Sequence, residues 1–221
     1  MTIPFIDLLS QRRRIGATID AALMEVAASG QYIMGPAVGA FEQALCDFGQ
    51  APHALSCSNG TDALVLLMMA WGVRPGDAVF CPAFTFAATA EVVALAGATP
   101  VFVDIRPDTW TMDPDHLRAA VAAVEREGVL KPRAVIAVDL FGQPADYPVL
   151  SDIAQKHGLK LIADSAQGFG CTLNGRHPIH WADATTLSFF PAKPLGAYGD
   201  GGAVLMKDDA LMDHLVSLRV H

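Results

Sequence analysis

One lysine stands where an amine could do chemistry. The stretch Thr186-Leu-Ser-Phe-Phe-Pro-Ala-Lys-Pro-Leu-Gly196 is an apolar run that stops at Pro191 and presents Lys193. It then enters a loop with Gly196, Gly199, Gly201 and Gly202 before Ala203-Val-Leu205 resumes a strand. Taking an ammonium out of water is costly, so a lysine in such a place is one of two things. It is a snorkelling surface residue, or a desolvated amine fit for Schiff-base chemistry with a carbonyl.

Three other segments bear on that choice. In Ile162-Ala-Asp-Ser-Ala-Gln-Gly168, Asp164 closes an apolar strand, where a partly desolvated carboxylate needs a cation or strong donors. It could simply cap the following turn. A protonated pyridine nitrogen would also satisfy it, the pairing that pyridoxal phosphate enzymes use. In Ser58-Asn-Gly-Thr-Asp62, Gly60 permits close backbone approach. Thr61 and Asp62 sit where a helix begins, and free amides there favour a phosphate. The plainer reading is an N-cap made by Asp62 or Ser58. In Pro82-Ala-Phe-Thr-Phe-Ala-Ala-Thr89, Phe84 and Phe86 leave a strand end beside hydroxyls, where a ring could stack on a flat cofactor or pack in the core.

These residues need a scaffold, and the chain supplies an alternation of strands and helices. Strands are expected at 53–57, 78–81, 100–105, 134–140, 159–163, 184–189 and 203–206. Helices are expected at 15–28, 38–48, 63–71, 89–96, 114–126, 147–157 and 210–220, with Asp113 as an N-cap and Ser29-Gly30 as a C-cap. Residues 3–9 read as an extended lead-in. Such an alternation implies a mostly parallel, seven-stranded sheet covered by helices, and ligands then gather outside the strands' carboxyl ends. The division is an N-terminal helical segment, 1–50, and an α/β domain, 51–221.

The totals narrow the classes. The 221 residues are 52% hydrophobic and 17% charged, with a net charge of −8 and no long basic run. That excludes a disordered chain and argues against nucleic acid or an anionic membrane as partner. Cys46, Cys57, Cys81 and Cys171 form neither a C-x-x-C pair nor a zinc spacing, so no metal site or disulfide framework is expected, and Cys57 and Cys81 read as core packing. No apolar stretch reaches the roughly 18 residues of a membrane span and no leader is evident, which makes a cytoplasmic location the expectation. The segment at 58–62 is not G-x-G-x-x-G, which counts against a nicotinamide enzyme.

Taken together, the motifs resemble the DegT/DnrJ/EryC1/StrS family of nucleotide-sugar aminotransferases. The likeness runs from Pro4-Phe-Ile-Asp-Leu8 through Gly30-Gln-Tyr-Ile-Met-Gly-Pro36, Ser58-Asn-Gly-Thr-Asp-Ala-Leu64, Phe84-Thr-Phe-Ala-Ala-Thr89 and Gly97-Ala-Thr-Pro-Val-Phe-Val-Asp104. It continues through Leu140-Phe-Gly-Gln143, Ala163-Asp-Ser-Ala-Gln167 and Ser188-Phe-Phe-Pro-Ala-Lys-Pro-Leu-Gly196 to Arg219-Val-His221. The resemblance implies the large domain of a fold-type-I pyridoxal phosphate enzyme. By it, Lys193 forms a Schiff base with the cofactor and shuttles a proton, and Asp164 keeps the pyridine nitrogen protonated. Phe86 stacks on the ring, Gln167 meets its hydroxyl side, and Gly60, Thr61 and Ser188 hold the phosphate. L-glutamate would donate an amine to a UDP- or dTDP-linked keto-sugar. The Lys-Pro-Leu-Gly form looks closest to enzymes aminating a UDP-linked 3-oxo-glucuronic acid sugar. Lys193 departs from the family's dehydratase branch, which carries histidine there. The family also works as a homodimer and continues into a smaller domain that closes the site. This chain therefore reads as truncated, and an inactive fragment or a non-catalytic regulatory protein on the same fold is the alternative.

Overall fold

A computed structural model describes residue 3 and residues 6–220. The expected motif residues Pro4, Phe5 and His221 lie outside the described residues. Seven strands form one sheet in the order β1-β7-β6-β5-β4-β2-β3: β1 His53–Cys57, β2 Asp77–Pro82, β3 Thr99–Val103, β4 Lys131–Val138, β5 Lys160–Asp164, β6 Ala184–Ser188 and β7 Gly202–Met206. Strand β7 runs opposite to the common strand direction, antiparallel to both β1 and β6. The other neighbouring pairs are parallel. The carboxyl ends of β1, β2, β4, β5 and β6 therefore meet at one edge, and β7 starts there.

Helices α3 Gly60–Ala70, α4 Ala88–Leu95 and α7 Asp209–Arg219 cover one face, burying Leu64, Leu67, Val92 and Leu215 against Leu55, Val79, Ile136 and Val204. Helices α5 Pro114–Glu127 and α6 Tyr147–Lys156 cover the other, where Leu117, Val121 and Leu150 meet Phe80, Val135, Ala137 and Leu161. Alternate residues of β4 thus serve opposite cores, as the pleat requires. Helix α2, Pro36–Gly49, joins the second face through Leu45 on Ala54 and Leu205. Each such leucine contributes about 1.5–3 kcal/mol on burial, so the sheet edge rests on a well-secured base.

Asp113 caps α5 by accepting from the amides of Asp115 and His116, and Gly30 ends α1 at φ 68°, as the sequence leads one to expect. The extended lead-in needs correction at its end. Asp7 accepts from the Ser10 amide and starts α1 at Leu8, so Leu8 and Leu9 are helical within Leu8–Ser29. A polar cap three residues before that amide outweighs the apolar run that suggested an extended lead-in.

Candidate functional site

The sheet edge opens into a cavity of about 910 Å³, and all seven residues singled out by the sequence line it: Gly60, Thr61, Phe86, Asp164, Gln167, Ser188 and Lys193. They arrive from four connections, after β1, β2, β5 and β6, and only the parallel arrangement of those strands brings the four together.

Gly60 and Thr61 open α3. The cap is Asn59, whose side chain accepts from the Asp62 amide at 2.8 Å, and neither Asp62 nor Ser58 takes that role. Asp62 instead receives bonds from the Ser58 hydroxyl and, at 3.0 Å, from Asn59 Nδ2. That leaves the amides of Gly60 and Thr61 without an acceptor among the described residues, at the positive end of the helix. Glycine is required here. A Cβ on Gly60 would lie 2.7 Å from Ser188 Cβ, so the helix start and the end of β6 touch. Ser188 is buried beside them, and among the described residues its Oγ accepts only a long 3.4 Å bond from the Phe190 amide.

Asp164 is buried at the end of β5. Its Oδ1 accepts from the Ala166 amide at 3.1 Å and from Thr186 Oγ1 at 3.4 Å, and its Oδ2 from Thr89 Oγ1 at 3.5 Å. Burial raises its pKa, and the positive charge of Lys193 pulls it back in part. The lysine stays across the cavity and forms no direct ion pair with it among the described residues. The acid is therefore underserved: buried, held by one good bond, and facing open space, where a cationic N–H would suit it.

Lys193 is half-buried, with its amide bonded to Phe190 O at 2.8 Å and its Nζ 5.9 Å from the centroid of the Phe86 ring. Of the two sequence alternatives, neither a fully dry amine nor a free surface lysine describes it. Of the two readings open for the aromatics, core packing fails for both, since Phe84 and Phe86 are exposed. Phe86 is 65% exposed and faces the cavity. Phe84 is not part of the cavity lining, and its ring meets Trp110 at 5.5 Å and Phe141 at 6.3 Å between ring centroids.

Gln167 turns its Oε1 to the Phe141 amide at 2.8 Å, leaving its NH₂ for the cavity. That tie, Asn59 as cap, and the rim residues Phe141, Phe190 and Asp200 were not singled out from sequence. Phe141 sits at φ 56°, a strained conformation for an aromatic residue that no local composition announces. Asp139, one residue past the apolar β4, is placed much as Asp164 is at the end of β5. A second, shallow hollow of about 700 Å³ lies by Arg106 and Arg118, whose guanidinium groups already pair with Asp108 and Asp115. No described helix is long and apolar enough to cross a membrane.

Comparison with known proteins agrees on one group. Residues 13–221 match the profile of the DegT/DnrJ/EryC1/StrS aminotransferase family. The chain is 46% identical over 219 residues to a UDP-2-acetamido-2-deoxy-3-oxo-D-glucuronate aminotransferase of Pseudomonas aeruginosa, covering 99% of this chain and 59% of that protein. It is 42% identical to a pleiotropic regulatory protein of Geobacillus stearothermophilus, covering 100% of this chain and 58% of the relative. A crystal structure of a DegT DnrJ EryC1 StrS aminotransferase from Brucella abortus superposes with a TM-score of 0.96 at 49% identity, over 98% of this chain and 58% of the other. The chain thus spans under three fifths of the length of these relatives.

Proposed function

The chain belongs to the DegT/DnrJ/EryC1/StrS aminotransferase family, and from that premise we propose that it carries the cofactor site of a pyridoxal phosphate-dependent sugar aminotransferase. The amino group would pass from L-glutamate to a UDP- or dTDP-linked keto-sugar. In this reading residues 51–221 form the cofactor-binding domain and residues 1–50 a helical segment before it, in a cytoplasmic homodimer. The observation that carries the proposal is a single cavity holding an amine, a buried acid without a cation, and two free amides at a helix start.

The residues fit the group. A phosphate would be held by the Gly60 and Thr61 amides at the positive end of α3, with the Ser188 hydroxyl on its far side, and the 2.7 Å limit at Gly60 keeps that seat clear of side chains. Asp164 would receive the N–H of the pyridine ring, and its burial would strengthen that pairing. Phe86 would cover one ring face, and Gln167 would offer its NH₂ to the ring hydroxyl. When bound, pyridoxal phosphate supplies an aldehyde for amines and a cationic ring that withdraws electrons from the adjoining carbon. Lys193 would hold the cofactor's aldehyde carbon through Nζ, and once a donor amine has taken its place the freed Nζ would take the proton from the donor's α-carbon and return it within the same half of the exchange. The name of the Pseudomonas aeruginosa relative supports a UDP-linked 3-oxo sugar acid as acceptor.

The test is a titration of the purified protein with pyridoxal phosphate, followed by absorbance. A visible band that Lys193→Ala abolishes, and that L-glutamate converts with release of 2-oxoglutarate, is the expected result. A spectrum indifferent to Lys193 overturns it. The regulatory name of the Geobacillus stearothermophilus relative favours a second reading, a protein that keeps the cofactor without turnover. A band that depends on Lys193 but ignores L-glutamate would support that one.

A further inference from the structure

We propose that Asp139 is a positioning residue of this site: buried behind the cavity wall, its carboxylate ties the ends of β4 and β5 together and so sets Asp164 and Gln167 in place. The inference rests on the pyridoxal phosphate reading above.

Asp139 is fully buried and lies directly beyond β4, where its amide bonds to Asp164 O at 3.0 Å. Its two oxygens face four donors. Oδ1 accepts from Tyr147 Oη at 2.6 Å and from the Ala145 amide at 3.1 Å, and Oδ2 from Ser165 Oγ at 2.5 Å and from Cys171 Sγ at 3.5 Å. One carboxylate thus grips the chain at positions 165 and 171, on both sides of Gln167.

The turn between them is pressed onto it. A Cβ at Gly168 would lie 2.6 Å from Asp139 Cβ, and the Gly168 amide bonds to Ser165 O at 2.9 Å. Within that clamp, the Ala166 amide reaches Asp164 Oδ1 and Gln167 Oε1 holds the Phe141 amide. The single turn after β5 that supplies both the acid and the side-chain amide of the cavity wall is therefore fixed to the chain leaving β4 through one group that never enters the cavity.

A buried carboxylate without a cation is an expensive way to fill space. Burial lifts the pKa of Asp139 to about 6 even with four donors aimed at it. An apolar side chain would avoid that cost but strand the buried donors of Ala145, Tyr147 and Ser165, so the carboxylate is kept for the ties it makes between these segments. Geometric control of Asp164 and Gln167 follows from those ties.

The test is a double-mutant cycle on pyridoxal phosphate affinity with Asp139→Asn and Gln167→Ala, beside hydrogen exchange of residues 165–168 in the cofactor-free protein. Asp139→Asn is expected to weaken binding roughly tenfold and to speed exchange. The double variant should bind no more than about twofold worse than the weaker single variant, the mark of groups acting through one another. Losses that multiply, or unchanged affinity and exchange with only a lower melting temperature, overturn the proposal. If Asp139→Asn does not fold, Ser165→Ala and Tyr147→Phe each remove a single donor and are read the same way. Failure of the unaltered protein to take up pyridoxal phosphate sinks the reading of the site. The exchange of 165–168 still decides separately whether Asp139 fixes the turn.

Discussion

The cavity has two walls of opposite construction. On the β5 side Asp164 is buried, and the turn that follows it is bonded to Asp139 just past β4, to Thr186 of β6 and to itself. On the other side Phe86 is 65% exposed, and Lys193 is half-buried in a glycine-rich connection held mainly by its own backbone. The stiff wall carries the acid, whose value depends on staying in one place in a dry setting. The loose wall carries the amine and the exposed ring, groups that on the proposed function would have to yield as a substrate amine takes the place of Lys193. Rigidity is spent where charge must be preorganised and withheld where a group must move.

The comparison breaks most sharply at Lys193. Lys193→Ala should lower amino transfer by about a thousandfold, the scale of losing a positioned acid–base group, with the melting temperature of the cofactor-free protein unchanged. Asp164→Asn should lower it by about a hundredfold while leaving that protein as stable or more so, because it removes a buried charge that lacks a cation. Steady-state kinetics beside thermal unfolding decide both. A large stability loss in Lys193→Ala would mean that the loose wall is structural after all.

The same contrast marks what a sequence can disclose. A polar residue ending an apolar run is conspicuous, so Asp164 and Lys193 stand out, and the helix spacing of residues 15–28 is plain. Spacing does not say what covers a helix, however. Within α1 only Gly16 is buried, while Ile15 and Leu23 are 39% and 54% exposed. Nor does it give direction: β7 is buried at every residue, like a parallel strand, yet runs antiparallel. The Asn59 cap and the Asp139 clamp depend on partners near and far in the chain that composition does not pair.

Acidity sharpens the picture of the stiff wall. Asp139 titrates near 6 in the folded protein against 3.8 ordinarily, so the folded state holds the extra proton between those values, and stability falls as pH rises across them. His177, buried and lowered to about 4, does the opposite: the unfolded chain holds its proton up to about 6.5, so stability rises with pH. The two oppose each other from about pH 4 to 6. Asp139→Asn removes the first and leaves the second, so its stability should climb with pH relative to the parent by up to about 1.4 kcal/mol per pH unit. Urea midpoints measured across that window test it, and parallel curves for the two proteins would refute it.

The smallest effect lies at the loose wall's aromatic. Phe86→Ala removes a ring that faces the cavity and supports nothing in the core, so pyridoxal phosphate affinity should fall by up to about tenfold, the worth of one aromatic contact, with melting unmoved. Phe84→Ala is the matched control. Its ring leans on Trp110 and Phe141 instead of the cavity, so affinity should hold. Equal losses from both would mean that the ring cluster acts as one unit, and the loose wall would then be stiffer than its exposure suggests.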